Sequence, residues 1–115
     1  MATPVGPYTP IVRAGDWLIV SGQVGIVDGK LVDGGTAGQL EQALVNMEAL
    51  LAGEGATKDH VVKTTVFLRH MSDYRLMNDT YTAFFGDHRP ARSAIGVAEL
   101  PIGALVEVEA WAHVA

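Results

Sequence analysis

The chain has 115 residues, eight Lys and Arg against thirteen Asp and Glu, a formal net charge of −5 and no cysteine. That length supports one core and a single domain over residues 1–115; the missing cysteine excludes disulfides, cysteine-ligated zinc and thiol nucleophiles, and scattered basic residues under a negative net charge oppose a nucleic-acid-binding surface. Charged residues make up only 18%, against roughly 25% in an average soluble chain, so apolar surface is left for a partner to cover, and self-association is the commoner answer.

No window approaches the length of apolar run that a membrane span needs, and no basic segment followed by an apolar stretch opens the chain, so a cytoplasmic protein without membrane contact is expected. Pro4, Gly6, Pro7 and Pro10 make the first ten residues an extended, irregular arm that carries Tyr8. A tyrosine in such an arm is ordinarily a packing residue with its hydroxyl at the surface. Ile11 to Ala14 and Trp17 to Val20 are β-rich runs separated by Gly15-Asp16, which predicts a hairpin. Ser21-Gly22-Gln23 is then expected to end the second strand, and the glycines that follow predict a loop with a short extended piece near Leu31-Val32. Those glycines have neither dinucleotide nor P-loop spacing, so a nucleotide site is not expected.

Thr36 with Gln39 three residues on matches a capping box. Leu40, Ala43, Leu44, Met47, Leu50 and Leu51 then recur at helical spacing and predict an amphipathic helix of four or five turns, stopped by Gly53 and Gly55. Val61 to Leu68 is a β-branched run without a consistent polar face, which predicts a central strand buried on both sides. Lys63 in that run is read as a solvated side chain snorkelling to water; a Schiff-base lysine would need a desolvated pocket that the sequence does not show.

Ser72 or Asp73 is placed to cap a second helix whose apolar stripe is Leu76, Met77, Tyr81, Phe84 and Phe85, with Asn78 on the Tyr81 and Phe85 side and Gly86 at its end. The four histidines are widely spaced, with no pair at the separations that metal sites use, so no metal is expected. Pro90 stops that helix and directs Arg89 towards extended geometry. Beyond it Arg92, Ala94 and Gly96 alternate with Ser93, Ile95 and Val97. Arg92 therefore stands beside small residues at a strand start, where it is either an exposed surface arginine or a planar fork presented to a carboxylate or phosphate. Leu100-Pro101-Ile102-Gly103 turns the chain into a last strand, in which Val106, Val108, Ala110 and Ala112 form an apolar face and Glu107, Glu109, Trp111 and His113 the other. Glu107 and Glu109 are either a solvated outer face or part of a site; on one strand they do not flank a sugar as a glycosidase pair must.

Gly6-Pro7-Tyr8, Val20-Ser21-Gly22-Gln23, Val62 to Leu68, Asn78 with Tyr81 and Phe84-Phe85, Pro90-Ala91-Arg92-Ser93 and Glu107-Val108-Glu109-Ala110 occur in this order. Together they resemble the Rid family, also called YjgF/YER057c/UK114, over essentially the whole chain. The resemblance implies an α+β subunit with a chorismate-mutase-like fold, a mixed sheet packed by two helices, and a homotrimer with a barrel-like core and pockets between subunits. It implies hydrolysis of reactive 2-imino acids to 2-keto acids and ammonia, a detoxifying imine deaminase without cofactor. Arg92 would hold the substrate carboxylate and Glu107 would position water. Tyr8, Ser21, Asn78 and the main chain of Ala94 would be substrate neighbours. Two departures stand out. Ala94 occupies a position where many imine-hydrolysing members carry Cys, and the segment from His88 to Arg92 is shorter than in many, with Arg89 in place of an aromatic before Pro90. A non-catalytic trimer binding or sensing small carboxylates would use Arg92 alike and leave Glu107 dispensable. RNA cleavage, described for some relatives, runs against the acidic balance.

Overall fold

The computed structural model describes residues 6–115; Pro4 of the expected arm lies outside them. Strands β1 (Ile11–Ala14) and β2 (Trp17–Val24) form the predicted hairpin, with Ala14 opposite Trp17 and Ile11 opposite Val20 across Gly15-Asp16. A second, small hairpin joins β3 (Ile26–Val27) to β4 (Lys30–Leu31). It turns on Asp28 and Gly29, both at positive φ, 53° and 79°, a two-residue geometry that matches strand twist.

Helix α1 (Gly35–Ala52) buries Leu40, Ala43, Leu44, Met47 and Leu51 of the predicted stripe, and Leu50 is only partly buried. The capping box does not form. Gly34, at φ 107°, is the residue before the helix, and no side chain caps it. Both expected capping side chains are drawn into tertiary contacts instead: Thr36 Oγ1 donates to Asp73 Oδ2 at 2.6 Å and Gln39 Oε1 accepts from the Leu105 N–H at 2.8 Å. Those bonds tie α1 to the residue before the second helix and to the residue before the last strand.

β5 (Val61–Leu68) leads through a short turn into α2 (Tyr74–Phe85), then β6 (Ala91–Gly96), and β7 (Val106–His113) closes the chain. The order in the main sheet is β1-β2-β7-β5-β6, antiparallel except for β5 with β6. Parallel neighbours need a crossover, and α2 supplies it. Asp73 precedes α2 without capping it, because its carboxylate is engaged by Thr36. Met77, Tyr81 and Phe85 are buried as predicted, whereas Leu76 is 44% exposed and lies outside the packed stripe. Gly86, at φ 66°, ends the helix.

Both helices pack on one face of this sheet. Leu18, Val20, Val66, Leu68, Val106 and Val108 meet Leu40, Leu44, Met47 and Met77 there, all essentially without exposure. Each such side chain contributes about 1.5–3 kcal/mol on burial. The alternation predicted for β7 is observed, with Val106, Val108, Ala110 and Ala112 inward and Glu107, Glu109, Trp111 and His113 outward. β5 departs from expectation. It lies fourth, between β7 and β6, and only Val61, Thr64, Val66 and Leu68 are fully buried, while Lys63, Thr65 and Phe67 are half-buried on the other face. Helices cover a single side, so an apolar run on both faces leaves one face partly bare. Exposed Trp17, Trp111 and Ile95 extend that uncovered surface.

Candidate functional site

A cavity of about 750 Å³ runs from the outward face of β5 and β7 past the end of β2 to the last turns of α1, lined by Tyr8, Ser21, Gly22, Phe67, Glu107 and Glu109 and by apolar residues that include Ile26, Leu50 and Ile102. Glu107 reaches it because strand alternation turns every second residue of β7 away from the core. Its carboxyl is half-buried. Burial pushes its pKa above the ordinary carboxylate range, and the like charge of Glu109, two residues along the same face, pushes it further.

The strand opposite was expected to end at Ser21-Gly22-Gln23, yet β2 runs on to Val24. Its pairing with β7 is irregular between Val20 and Gln23, after which Gln23 faces Val108 and Val24 faces Glu107. Such an irregularity bends the strand and redirects side chains. Gly22 lies directly over Glu107: a Cβ added there would stand 2.7 Å from the Glu107 carboxyl carbon. The missing side chain is what leaves room for the carboxylate. Ser21 Oγ donates to the Thr9 carbonyl at 2.7 Å and Ser21 N–H to the Pro10 carbonyl at 2.9 Å. These bonds hold the arm against β2 and bring Tyr8 to the cavity wall.

Arg92 lies elsewhere. It is adjacent to Thr64 in the parallel β5–β6 register and points to the helix side of the sheet. Its guanidinium carbon is 4.9 Å from the centroid of the Tyr81 ring and 5.7 Å from that of Tyr74, within cation–π range. Arg92 donates to Tyr74 Oη at 3.2 Å and makes a 3.5 Å contact to Met77 Sδ. Tyr81 is itself fixed, its Oη 2.7 Å from Thr64 Oγ1 in the core. Burial raises the Tyr81 pKa, the dominant effect against the Thr64 hydrogen bond and the nearby Arg92 charge. Among the described residues no carboxylate forms an ion pair with Arg92; the pair found is Arg13 with Glu54. The fork is held by rings and neutral atoms, with donors left for an anion.

The structure thus brings Tyr8, Ser21 and Glu107 together and does not bring Arg92, Ala94 or Asn78 to them. Ala94 shares the Arg92 face of β6, and Asn78 lies on α2 between Tyr74 and Tyr81, its Oδ1 buried without a hydrogen-bond partner. Lys63 Nζ donates to Ser93 Oγ at 2.8 Å on the uncovered face. Sequence reasoning did not identify Gly22, Phe67 and Ile102 as cavity residues or the Tyr74–Met77–Tyr81 cradle of Arg92. In the sequence Met77 and Tyr81 read only as part of the apolar stripe of the helix, and Tyr74 is assigned no role. Among the described residues no group of three His, Asp or Glu side chains could hold a metal ion, and no helix is long and apolar enough to cross a membrane.

The family model described as Endoribonuclease L-PSP matches residues 1–114. A human protein named 2-iminobutanoate/2-iminopropanoate deaminase is 41% identical over 110 residues, covering 94% of this chain and 80% of the human one. A crystal structure from Yersinia pestis, described as a conserved Rid-family protein of unknown function, superposes with a TM-score of 0.93 at 39% identity, covering 97% of this chain and 91% of its own. Escherichia coli TdcF, solved with bound serine, gives a TM-score of 0.92 at 30% identity, over 97% and 91% of the two chains.

Proposed function

The chain belongs to the family described as Endoribonuclease L-PSP, the Rid proteins, and from that membership we propose that it is a cytoplasmic hydrolase converting reactive 2-imino acids to 2-keto acids and ammonia. The observation that carries the proposal is the pair of half-sites on one sheet: a guanidinium without an anionic partner on the helix side and a carboxyl with a raised proton affinity in the cavity on the other. Human and other relatives named as deaminases of such imines support it.

One chain keeps these halves apart, so the complete site forms between copies. We propose a homotrimer with a chorismate-mutase-like arrangement, in which the uncovered sheet faces meet in a barrel-like core and Arg92 of one copy reaches towards the Glu107 cavity of the next. The low charge of the chain and the exposed Trp17, Trp111 and Ile95 on that face support the assembly.

In the shared site Arg92 binds the substrate carboxylate through its fork, with the Ala94 main chain beside it, and Tyr8 closes the cavity. Glu107 accepts a proton from water as its oxygen bonds to C2 of the imine. Glu107 returns that proton to nitrogen, giving a 2-amino-2-hydroxy acid; the hydroxyl proton then passes to the same nitrogen as the C–O bond becomes a carbonyl, the C–N bond breaks, and ammonia leaves the 2-keto acid. A raised proton affinity makes Glu107 the better base, and proton transfer of this kind supplies about 10²–10⁴-fold. The family description names RNA cleavage, but two carboxylates in the cavity repel a phosphate chain. The test couples a dehydratase that generates 2-iminobutanoate to timed release of keto acid, with and without this protein. Acceleration supports the proposal; an unchanged rate beside intact keto-acid binding favours a binding module.

A further inference from the structure

Ile102 is held in a conformation that its own side chain opposes. It sits in the turn Pro101–Gly103 at φ 53° and ψ 24°, the left-handed region, which a β-branched residue rarely enters because its Cβ crowds the following carbonyl. Core burial does not offset that cost, since the side chain is 52% exposed, the most exposed of the large apolar residues in the described chain. Glycine or asparagine would make the same turn with less strain. Strained residues of this kind concentrate where a ligand is gripped.

The side chain of Ile102 lines the same cavity as Glu107, together with Ile26 and Leu50. Pro101 precedes it in the wall and fixes the entry to the turn. In one chain the cavity measures about 750 Å³, within the roughly 300–1,000 Å³ of small-ligand sites, and a neighbouring copy in the proposed trimer would take up part of it.

We infer that Ile102, with Ile26 and Leu50, forms an apolar subsite that receives the substrate side chain and selects imino acids with branched apolar side chains over the three-carbon one. The inference rests on the imino-acid reading of the cavity and adds the substrate class. Ile102 is a specificity-determining residue; its strain is retained because its side chain contacts the ligand.

The experiment compares 2-imino-4-methylpentanoate with 2-iminopropanoate, each generated from its amino acid by an oxidase, on wild type, Ile102→Asn and Ile102→Leu. Asparagine suits the turn and removes the apolar surface, whereas leucine keeps the surface. The ratio of kcat/KM for the branched imine to that for the small one is expected to fall about tenfold in Ile102→Asn, the effect of one to two methylene groups in an apolar pocket, and to survive in Ile102→Leu. Size exclusion with light scattering confirms that all three proteins assemble alike, and Ile102→Asn is expected to unfold at no lower temperature than wild type. An unchanged ratio, or equal losses with both imines, overturns the subsite. If wild type accelerates neither imine, the hydrolase reading fails by itself. The subsite is then judged by equilibrium binding of 4-methyl-2-oxopentanoate against pyruvate, where Ile102→Asn must weaken the branched acid selectively or the inference is wrong.

Discussion

Replacing Arg92 by lysine preserves the charge and removes the planar fork. In the structure the guanidinium leans on the Tyr81 ring, 4.9 Å from its centroid, and donates to Tyr74 Oη at 3.2 Å. An ammonium has one nitrogen and cannot hold a carboxylate through two parallel bonds while keeping that tyrosine. Losing the second charge-assisted bond costs about 1.5–3 kcal/mol, or roughly one to two orders of magnitude in kcat/KM. Stability should change by less than about 1 kcal/mol, because Arg92 is on an edge strand and the Thr64–Tyr81 bond beneath it remains. Arg89 is the control: its exposed guanidinium folds back onto the carbonyls of Gly86 and His88, so Arg89→Lys should leave turnover close to wild type. The assay is dehydratase-coupled keto-acid release, with oligomeric state checked first. Near wild-type kcat/KM in Arg92→Lys, or equal losses in both variants, would refute the clamp.

Glu107→Gln should abolish most turnover while retaining keto-acid binding, since the amide keeps the shape but accepts no proton; full turnover by this variant refutes the water-activating role. Because the folded chain holds the Glu107 proton more tightly than the unfolded chain, ionisation costs stability as pH rises through the raised pKa. Glu107→Gln should therefore melt above wild type at about pH 7, with the gap closing below about pH 4, and a gap that ignores pH contradicts the burial argument. Gly22→Ala should lower kcat with little loss of melting temperature, as the new methyl group displaces the Glu107 carboxyl rather than any backbone; unaltered kcat would show that the carboxylate position is not critical. Tyr81→Phe leaves the fully buried Thr64 hydroxyl without its partner and should cost about 1–3 kcal/mol in denaturant unfolding, so a loss under about 0.5 kcal/mol argues against that bond.

The hairpin, the α1 stripe and the two faces of β7 were readable because each rests on local turn chemistry or on an unbroken period. β5 was not: with Thr65 and Phe67 on one side and Thr64, Val66 and Leu68 on the other, neither side is consistently polar, and its sequence cannot say that the helices cover only one face. Thr36 and Gln39 matched a cap by spacing, but distant partners, Asp73 and Leu105, took both side chains. Gly22 was visible only as a strand terminator, since an irregular pairing depends on the strand opposite. Tyr8, Ser21 and Glu107 were named from family motifs and do share a cavity. Arg92 was named with equal force, yet no one-dimensional signal shows that it faces the other side of the sheet, beside Tyr74 and Tyr81.

The central claim, a site assembled from Glu107 of one copy and Arg92 of another, is tested most directly by mixing two inactive variants. Arg92→Met and Glu107→Gln are unfolded together in equal amounts, refolded and assayed for 2-iminobutanoate hydrolysis. In a closed ring of copies chosen at random, half the interfaces on average offer an intact Arg92 and half of those an intact Glu107. About one quarter of wild-type activity should return. Activity no greater than that of the separate parents, in mixtures shown by mass spectrometry to contain both chains in one assembly, would contradict a shared site.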